Sequence, residues 1–313
     1  MLHPPPPYIT GFRAPKPPAK IAPALKPRRS DIMAGGTAIA RSVGFGLLFL
    51  AALAAAQPAF AQGRTCGDGP GGFSRWMDGY KQRAVSAGVS PRTVNAVLSG
   101  VTYDPRIVRL DRSQKSFKLS FEQFYARRVG TALMKRARAR LDTHRALFDR
   151  IEREFGVPRE ILISIWGLET NFGADVSDRY SIIRSLATLA YDCRRSPFFT
   201  AQLTDALRIV DRGYMPAAQM RGGWAGEIGQ TQFLPSPYIQ YAVDYDGDGR
   251  RDLIRSIPDA LASTANFLKG HGWQRGQPWG PGTRNYDVLR DWNRASVYQR
   301  TIATMASRLE GRG

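Results

Sequence analysis

The sequence predicts a mainly α-helical fold with a small irregular β or loop portion. Amphipathic segments, separated by residues that end helices, follow one another through most of residues 73–309. One of them, residues 158–170, is apolar on nearly all sides, as expected for a helix at the centre of a domain. Residues 222–237 are rich in Gly, Gln and Pro and interrupt the helical pattern, which predicts loop or short strand there.

The helices can be placed in order from their end signals. Ser90-Pro91 is typical of an N-cap followed by the first helical residue, whereas Gly156 and Gly270 are typical of helix ends. The predicted helices span 73–87, a segment that starts at 91, 117–129, 132–155, 158–170, 181–192, 197–212, 256–270 and 287–309, the last as one or two helices. No internal repeat or linker separates them, so we expect residues 62–313 to form a single domain.

The first 61 residues do not belong to this predicted domain. Residues 1–32 are Pro-rich and form either a disordered tail or sequence upstream of a true start at Met33. The second interpretation is favoured because residues 33–61 resemble a signal peptide, with an arginine, an apolar run at 43–56 and an A-x-A site ending at Ala61. The run is too short to span a bilayer. We therefore expect cleavage after Ala61, a periplasmic location and no membrane span in the mature protein.

The chain is strongly basic. Its net charge is +19, and removal of residues 1–61, which hold seven Lys or Arg and one Asp, leaves +13. Such a surplus favours a polyanionic partner, although the Arg-rich composition of a GC-rich genome explains it equally well. Export argues against nucleic acid as that partner and favours an anionic polymer or membrane surface of the cell envelope.

Two cysteines, Cys66 and Cys193, remain after removal of the leader. Disulfides form and persist in an oxidising compartment such as the periplasm. Export therefore predicts a Cys66–Cys193 disulfide, which would pin the start of the mature chain to the middle of the fold. Two free thiols are the less favoured alternative.

Glu169 is the first candidate catalytic residue. It stands at the end of the apolar helix 158–170, where desolvation favours the protonated carboxyl. Glycosidic cleavage needs a protonated acid because the leaving oxygen has to receive a proton. From its position alone, the stronger interpretation is a glutamate exposed beyond the helix end. The Gly- and Gln-rich segment 222–237 suits close approach to sugar rings and weakly favours the catalytic interpretation.

Five long stretches change that balance: GVPREILISIWGLETNFG (156–173), SIIRSLATLAYDCRRSPFF (181–199), and residues 222–253, 259–273 and 289–298. In this order they resemble the membrane-bound lytic murein transglycosylase B family, here in a soluble form. With the less distinctive helices before them, they cover about residues 73–305. The resemblance implies a lysozyme-like core with an added helical region. It also implies a monomer that cleaves the β-1,4 bond between N-acetylmuramic acid and N-acetylglucosamine in peptidoglycan glycan strands, leaving 1,6-anhydromuramyl ends.

The resemblance assigns roles to single residues. Glu169 matches the catalytic glutamate of the family, which protonates the leaving oxygen and then, as general base, helps the muramyl C6 hydroxyl attack C1. A neighbouring N-acetyl group assists. Gln232, Asn293 and Tyr298 match family residues that line the sugar site. Without the resemblance, Asn293 would be interpreted as a helix cap and Tyr298 as a core aromatic.

Two positions depart from the family pattern. Gly223 stands where relatives often have a serine, so a hydroxyl that could bond the catalytic carboxylate is missing and Gly223 is left out of the catalytic set. Phe124 stands near a substrate-facing tyrosine of some relatives. The sequence leaves open whether Phe124 or the adjacent Tyr125 faces the cleft.

Two other functions stay open. A hydrolase of the same glycan would need a second carboxylate to activate water, and Asp175, in the loop after Glu169, is the nearest candidate together with Asp178. A non-catalytic peptidoglycan- or calcium-binding scaffold is the other alternative. The sequence has no HExxH motif, P-loop or dinucleotide fingerprint, and only two histidines follow the leader. These absences exclude a zinc peptidase, a serine hydrolase and a nucleotide enzyme.

Residues 244–252 have the alternating aspartates of a calcium loop, with a glycine at the sixth position. Arg255 occupies the twelfth position, where a glutamate is expected, so Asp259 is the candidate for the missing carboxylate. We expect a structural calcium ion and no cofactor for the chemistry itself; the alternative is a solvated acidic turn without metal. The predicted ligands are Asp244, Asp246, Asp248, Arg250 through its carbonyl, Asp252 and Asp259.

Overall fold

Helices predominate in the computed structural model, which describes residues 66–113 and 119–311. The tail and leader predicted at 1–61 lie outside these residues. The helices are α1 (Phe73–Ser86), α2 (Pro91–Leu98), α3 (Pro105–Arg112), α4 (Phe121–Arg128), α5 (Thr131–Thr143), α6 (Arg145–Phe155), α7 (Arg159–Thr170), α8 (Ile182–Tyr191), α9 (Ser196–Asp211), α10 (Pro235–Tyr241), α11 (Ile257–Gly270), α12 (Arg284–Trp292) and α13 (Ser296–Glu310).

A two-stranded antiparallel sheet is the β portion of the described residues. It pairs β1 (Tyr180–Ser181) with β2 (Arg221–Gly222), and Tyr180 lies opposite Gly222. The sheet joins the segment that follows α7 to the start of the Gly-rich loop. The prediction of a mainly α fold with a small β portion is confirmed.

Helix α7 is the centre of the fold. Its residues from Ile161 to Thr170 are all buried, and the helix packs against α5, α6, α11 and α13. Neighbours on several sides explain why the sequence of α7 is apolar on nearly all sides. Each Leu or Ile side chain buried there contributes about 1.5–3 kcal/mol. The C-terminal end of α7 is therefore a rigid platform for the residues that follow it.

Side-chain caps fix where several helices begin. In each case a side-chain oxygen accepts a hydrogen bond from a backbone N–H in the first turn, which satisfies a donor that the helix itself leaves unpaired. The capping residues are Ser90, Asp104, Ser120, Ser181, Ser256 and Thr283. The predicted N-cap at Ser90 is confirmed.

Three details of the helix prediction are wrong. The segment 132–155 is two helices because the chain turns at His144, with φ −109° and ψ 25°. Both helices pack against α7, and α6 also packs against α11. The segment 222–237 contains the start of α10, in whose first turn Pro235 lies. The short helix α3, which Asp104 caps, was not predicted.

The predicted Cys66–Cys193 disulfide is present. It closes a loop with a sequence separation of 127, and its Cα atoms lie 5.0 Å apart. Next to it, the amide of Gly67 donates to the carbonyl of Tyr191 at 2.8 Å. The disulfide therefore fastens the segment before α1 to the end of α8.

Within the two described ranges, no helix combines the length and the apolar character needed to cross a membrane.

Candidate active site

The C-terminal end of α7 carries the first element of the candidate site. The helix ends at Thr170; Asn171, which caps it, has the left-handed conformation (φ 51°), and Phe172 follows with φ 61°. The Phe172 ring folds back onto the helix, where a Cβ at Gly167 would lie 2.7 Å from it. An alanine at position 167 would therefore collide with this ring. This close packing fixes the backbone directly beside Glu169.

Among the described residues, only one of the two carboxyl oxygens of Glu169 has hydrogen-bond partners. Its Oε1 accepts hydrogen bonds from the Tyr298 hydroxyl at 2.7 Å and from Nε1 of Trp292 at 3.1 Å. Its Oε2 is buried and has no hydrogen-bond partner among the described residues. Only 8% of the residue is exposed. Because Oε1 already accepts from two donors, Oε2 is the oxygen that can carry a proton and donate it.

Burial raises the pKa of Glu169 well above its ordinary value of 4.5. The hydrogen bonds from Tyr298 and Trp292 lower this pKa, since they stabilise the ionised carboxylate, and the charge of Glu227 raises it. The raising effects win because so little of the group reaches solvent. Glu169 therefore keeps its proton to higher pH than an exposed glutamate does, as its place in the sequence predicts.

The Gly-rich loop, residues 222–234, is fastened to α7 through Gln230. The Gln230 side-chain oxygen accepts from Nε1 of Trp166 at 3.0 Å, and its backbone carbonyl accepts from the Thr170 hydroxyl at 2.5 Å. A Cβ at Gly173 would lie 2.6 Å from the same side-chain oxygen. The loop therefore passes directly beside the end of α7, where only glycine leaves room for Gln230.

The three predicted substrate-binding residues lie in three different settings. Tyr298 is fully buried and donates to Glu169, so it lies in the site. Gln232 belongs to the Gly-rich loop, has a φ of 56°, and donates through Nε2 to the Gly229 carbonyl at 2.7 Å. Asn293 caps the end of α12, and its Oδ1 accepts from the amide of Ala295 at 3.0 Å. Asn293 Nδ2 is buried and has no partner among the described residues.

Two residues of the site were missed by the sequence analysis. Trp292 directly precedes Asn293 in a stretch that carried the family resemblance, yet its contact with Glu169 depends on how α12 and α13 pack. Glu227 is the single charged residue of the segment 222–237, and it is fully buried. A lone charge in such a segment was the signal that could have identified it.

The structure also bears on three residues whose roles the sequence left open, Asp175, Phe124 and Tyr125. Asp175, the candidate base of a hydrolase, is exposed, and its backbone amide donates to the Thr170 carbonyl at 2.9 Å. Phe124 packs edge-on against the Tyr298 ring, with centroids 6.2 Å apart. Tyr125 lies under the guanidinium of Arg308 at 4.8 Å. Of the two aromatic candidates on α4, Phe124 is thus the one in contact with a site residue.

The acidic loop before α11 groups three of the predicted calcium ligands. One carboxylate oxygen from each of Asp244, Asp246 and Asp259 lies within 4.8 Å of the others, and Asp259 is fully buried. Asp248 and Asp252 lie outside this group. The Asp252 carboxylate bonds Arg255 at 2.7 Å, and Asp248 accepts from the amide of Arg250 in its own turn.

The donor chemistry of this loop fits a hard cation. Three carboxylate oxygens that converge are the ligands that calcium prefers in proteins. Burial raises the pKa of Asp259, which reflects the cost of a carboxylate without a compensating charge. A bound divalent cation would offset that cost. Asp244, Asp246 and Asp259 are therefore the residues that would hold the ion.

The sequence of this chain was compared with those of known proteins and protein families. Residues 72–284 match the family described as Transglycosylase SLT domain. Membrane-bound lytic murein transglycosylase B of Escherichia coli (strain K12) is 39% identical over 129 residues, which are 41% of this chain and 35% of that protein. The match thus spans about a third of the length of this curated relative.

Solved structures show the same architecture. SltB3 from Pseudomonas aeruginosa, in complex with NAG-anhNAM-pentapeptide, is 32% identical with a TM-score of 0.70, and the match covers 76% of this chain and 80% of that chain. Escherichia coli Slt35, in complex with calcium, is 21% identical with a TM-score of 0.66, covering 79% and 96%. The expected lysozyme-like fold is confirmed by these structures. Since the family match extends over more than half of its length, this chain belongs to the Transglycosylase SLT domain family.

Proposed function

We propose that the protein is a lytic transglycosylase that cleaves the β-1,4 bond between N-acetylmuramic acid and N-acetylglucosamine in peptidoglycan. The observation that carries the proposal is the carboxyl group of Glu169, which is buried, has a raised pKa and has no partner at Oε2 among the described residues. A proton on Oε2 is available to the oxygen of a scissile glycosidic bond. Membership of the family supports the same reaction.

The proposed reaction uses one carboxyl group twice. Glu169 donates its proton to the glycosidic oxygen while the bond between that oxygen and C1 of the muramyl residue breaks. The resulting carboxylate, steadied at Oε1 by Tyr298 and Trp292, then removes the proton of the muramyl C6 hydroxyl as this oxygen attacks C1. The product is a 1,6-anhydromuramyl end, and Glu169 regains its proton. A neighbouring N-acetyl group assists departure of the leaving group.

A hydrolase of the same glycan is the rival. It needs a second carboxylate beside the substrate to activate water. Asp175 is exposed, and Glu227 is fully buried in the Gly-rich loop, so neither is placed as an obvious base for a water molecule. This arrangement favours intramolecular attack by the C6 hydroxyl over hydrolysis.

Peptidoglycan glycan strands are the proposed substrate. SltB3, the relative described above, was solved with NAG-anhNAM-pentapeptide and with NAG-NAM-pentapeptide. Gln232 and Asn293 are the proposed sugar-binding residues of this chain, and the buried, unpartnered Nδ2 of Asn293 supports that role. The net charge of +13 in residues 62–313 suits an anionic polymer.

The proposed place of action is the periplasm. The leader predicted at 33–61 would direct export and be removed after Ala61, leaving residues 62–313 as a single, monomeric catalytic domain. The disulfide between Cys66 and Cys193 supports an oxidising compartment.

Mass spectrometry of the digestion products tests the reaction. The protein is incubated with purified peptidoglycan, and the soluble fragments are analysed beside those from a muramidase that leaves reducing ends. We expect muramyl fragments lighter by one water than the reducing fragments. Reducing ends from this protein would instead establish hydrolysis, and an intact polymer after incubation with folded protein would favour a binding scaffold.

Tyr298→Phe tests the hydrogen bond to the acid. The variant keeps the ring that packs on Phe124 but removes the donor to Glu169 Oε1, so the pKa of Glu169 should rise further and the acid should be held less firmly. We expect turnover of peptidoglycan to fall about tenfold, equivalent to roughly 1–2 kcal/mol. Tyr80→Phe is the matched control, since it removes a partly buried hydrogen bond to Thr204 outside the site. Equal effects of the two variants would contradict the role of Tyr298.

Calcium is proposed as a structural ion held by Asp244, Asp246 and Asp259. The ion would tie the acidic loop to α11 and supplies no step of the reaction. Adding calcium at about 100 times its dissociation constant should raise the melting temperature by about 5–10 °C. Asp246→Asn should lose most of this increase, whereas Asp78→Asn, which alters an exposed carboxylate on α1, should keep it. Equal increases in the two variants would contradict the site.

A further inference from the structure

Glu227 is a buried carboxyl group that the proposed reaction does not use. It is fully buried in the Gly-rich loop. Its Oε2 accepts from the amide of Ala225 at 2.9 Å, and its Oε1 has no hydrogen-bond partner among the described residues. A buried carboxyl group with one oxygen unpaired destabilises a fold. Such a group calls for a functional explanation.

The loop holds this carboxyl group in a defined position. The amide of Gly223 donates to the Glu227 carbonyl at 3.0 Å. A Cβ at position 223 would lie 2.1 Å from Glu227 Oε2, so the carboxyl group occupies the space that a side chain at 223 would fill. The glycine that departs from the family pattern is therefore the residue that makes room for Glu227.

Two chains of contacts connect this loop to Glu169. The first runs through Thr170, next to Glu169, whose hydroxyl donates to the Gln230 carbonyl at 2.5 Å. The second starts at Ile228, which bridges Phe233; the Phe233 ring packs 5.5 Å from that of Trp292, which donates to Glu169. Glu227 thus belongs to the same rigid unit as the acid.

Burial raises the pKa of Glu227 to about 7, against the lowering effects of its own amide, the amide of Ala225 and the guanidinium of Arg195. Arg195 is itself bonded to the Asp111 carboxylate. Burial is also the largest cause that raises the pKa of Glu169, and the charge of Glu227 raises it further. At a pH above about 7 Glu227 carries that negative charge, so the two carboxyl groups are coupled.

The other groups that act on this pair are few. Within the described residues, the interactions that shift the pKa of Glu169 come from burial, Tyr298, Trp292 and Glu227. Arg128 acts on the Tyr298 hydroxyl and also donates to the Leu168 carbonyl. Glu227 is thus the one ionisable carboxyl that pushes Glu169 toward its protonated form.

We infer that Glu227 is a positioning residue whose negative charge retains the proton on Glu169 as the pH rises. The inference rests on the proposed role of Glu169 as the acid. When one of two buried, electrostatically coupled carboxyl groups is ionised and the other is neutral, the first supplies charge and the second supplies the proton. Below neutrality Glu227 is itself protonated and has no charge to exert. Its contribution to activity therefore lies on the alkaline side of the pH profile.

The test compares the pH dependence of turnover in the parent protein, Glu227→Gln and Glu227→Leu, which remove the charge with a polar and an apolar side chain of similar size. We expect the alkaline limb of kcat/KM on peptidoglycan to move to lower pH in both variants. The rate at mildly acidic pH should stay close to that of the parent. Glu160→Gln, which alters a half-buried carboxyl at the other end of α7, is the control and should leave the limb in place. A uniform loss at all pH values, with the limb unmoved, would mean a purely structural role and overturn the inference.

A second measurement separates this inference from the proposed function. The side-chain carboxyl carbon of Glu169 is titrated by NMR in the parent and in Glu227→Gln, with its signal assigned from Glu169→Gln. We expect the pKa of Glu169 to be lower in Glu227→Gln. An unchanged titration would refute the inference even in a fully active enzyme. A lowered pKa in a protein that does not cleave peptidoglycan would leave the inference standing while the proposed function fails.

Discussion

Replacement of Glu169 by glutamine should reduce glycan cleavage about 100- to 10,000-fold, the usual contribution of a general acid. Glutamine has the same shape, and its carbonyl oxygen can accept the bonds from Tyr298 and Trp292. It has no acidic proton to place on the glycosidic oxygen. Release of soluble fragments from purified peptidoglycan measures the effect. Retention of more than a tenth of the parent rate would contradict the role of Glu169.

The stability of this variant provides the control. In the unfolded chain Glu169 ionises near 4.5, whereas burial keeps it protonated to higher pH in the folded protein. As the pH rises above that value, the unfolded state loses a proton that the folded state retains, so the free energy of unfolding falls. Glutamine does not ionise and escapes this fall. Denaturation at neutral pH should therefore show Glu169→Gln to be at least as stable as the parent, and a less stable variant would indicate lost packing instead of lost chemistry.

Loss of the disulfide should have the largest effect on stability. The double variant Cys66→Ser/Cys193→Ser releases a loop with a sequence separation of 127 and should lower the free energy of unfolding by about 2–5 kcal/mol. The effect arises mainly because the reduced, unfolded chain gains conformational freedom. Urea denaturation of the parent and the variant at the same pH measures the difference.

A reducing agent supplies the matched control for this prediction. It should lower the stability of the parent to that of the double variant and leave the variant itself unchanged. Activity at low temperature should persist, because the bridge joins the segment before α1 to the end of α8 and makes no contact with Glu169. Equal stability of the parent and the variant would show that the closed loop does not constrain the unfolded chain.

Much of the fold could be predicted because local signals and burial agree. The apolar surface of α7 required neighbours on several sides, and the N-cap Ser90 marked a helix start that the structure retains. The break at His144 could not be predicted, since no Gly or Pro marks it. The break leaves both helices against α7 and lets α6 pack against α11 as well, which is a tertiary effect.

The sequence predicted the candidate site only where the reaction requires a particular kind of residue, such as a buried acid. A glutamate at the end of a buried helix is an unusual position, and the structure gives Glu169 the burial that a general acid requires. Trp292 and Glu227 act on Glu169 because distant segments of the chain pack together. The spacing of residues along the sequence does not predict such packing. The spacing of the acidic loop predicted six calcium ligands, but the carboxylates that converge are those of Asp244, Asp246 and Asp259, while the Asp252 carboxylate pairs with Arg255.

Digestion of peptidoglycan in water enriched in a heavy oxygen isotope tests the central claim most directly. In the proposed reaction the C6 hydroxyl of the substrate attacks C1, so no solvent oxygen enters the product. We predict that the muramyl ends released by the protein carry no heavy oxygen and that Glu169→Gln releases almost none of these fragments. Heavy oxygen at C1 of the released muramyl ends would contradict the account, because water and not the substrate would then be the nucleophile.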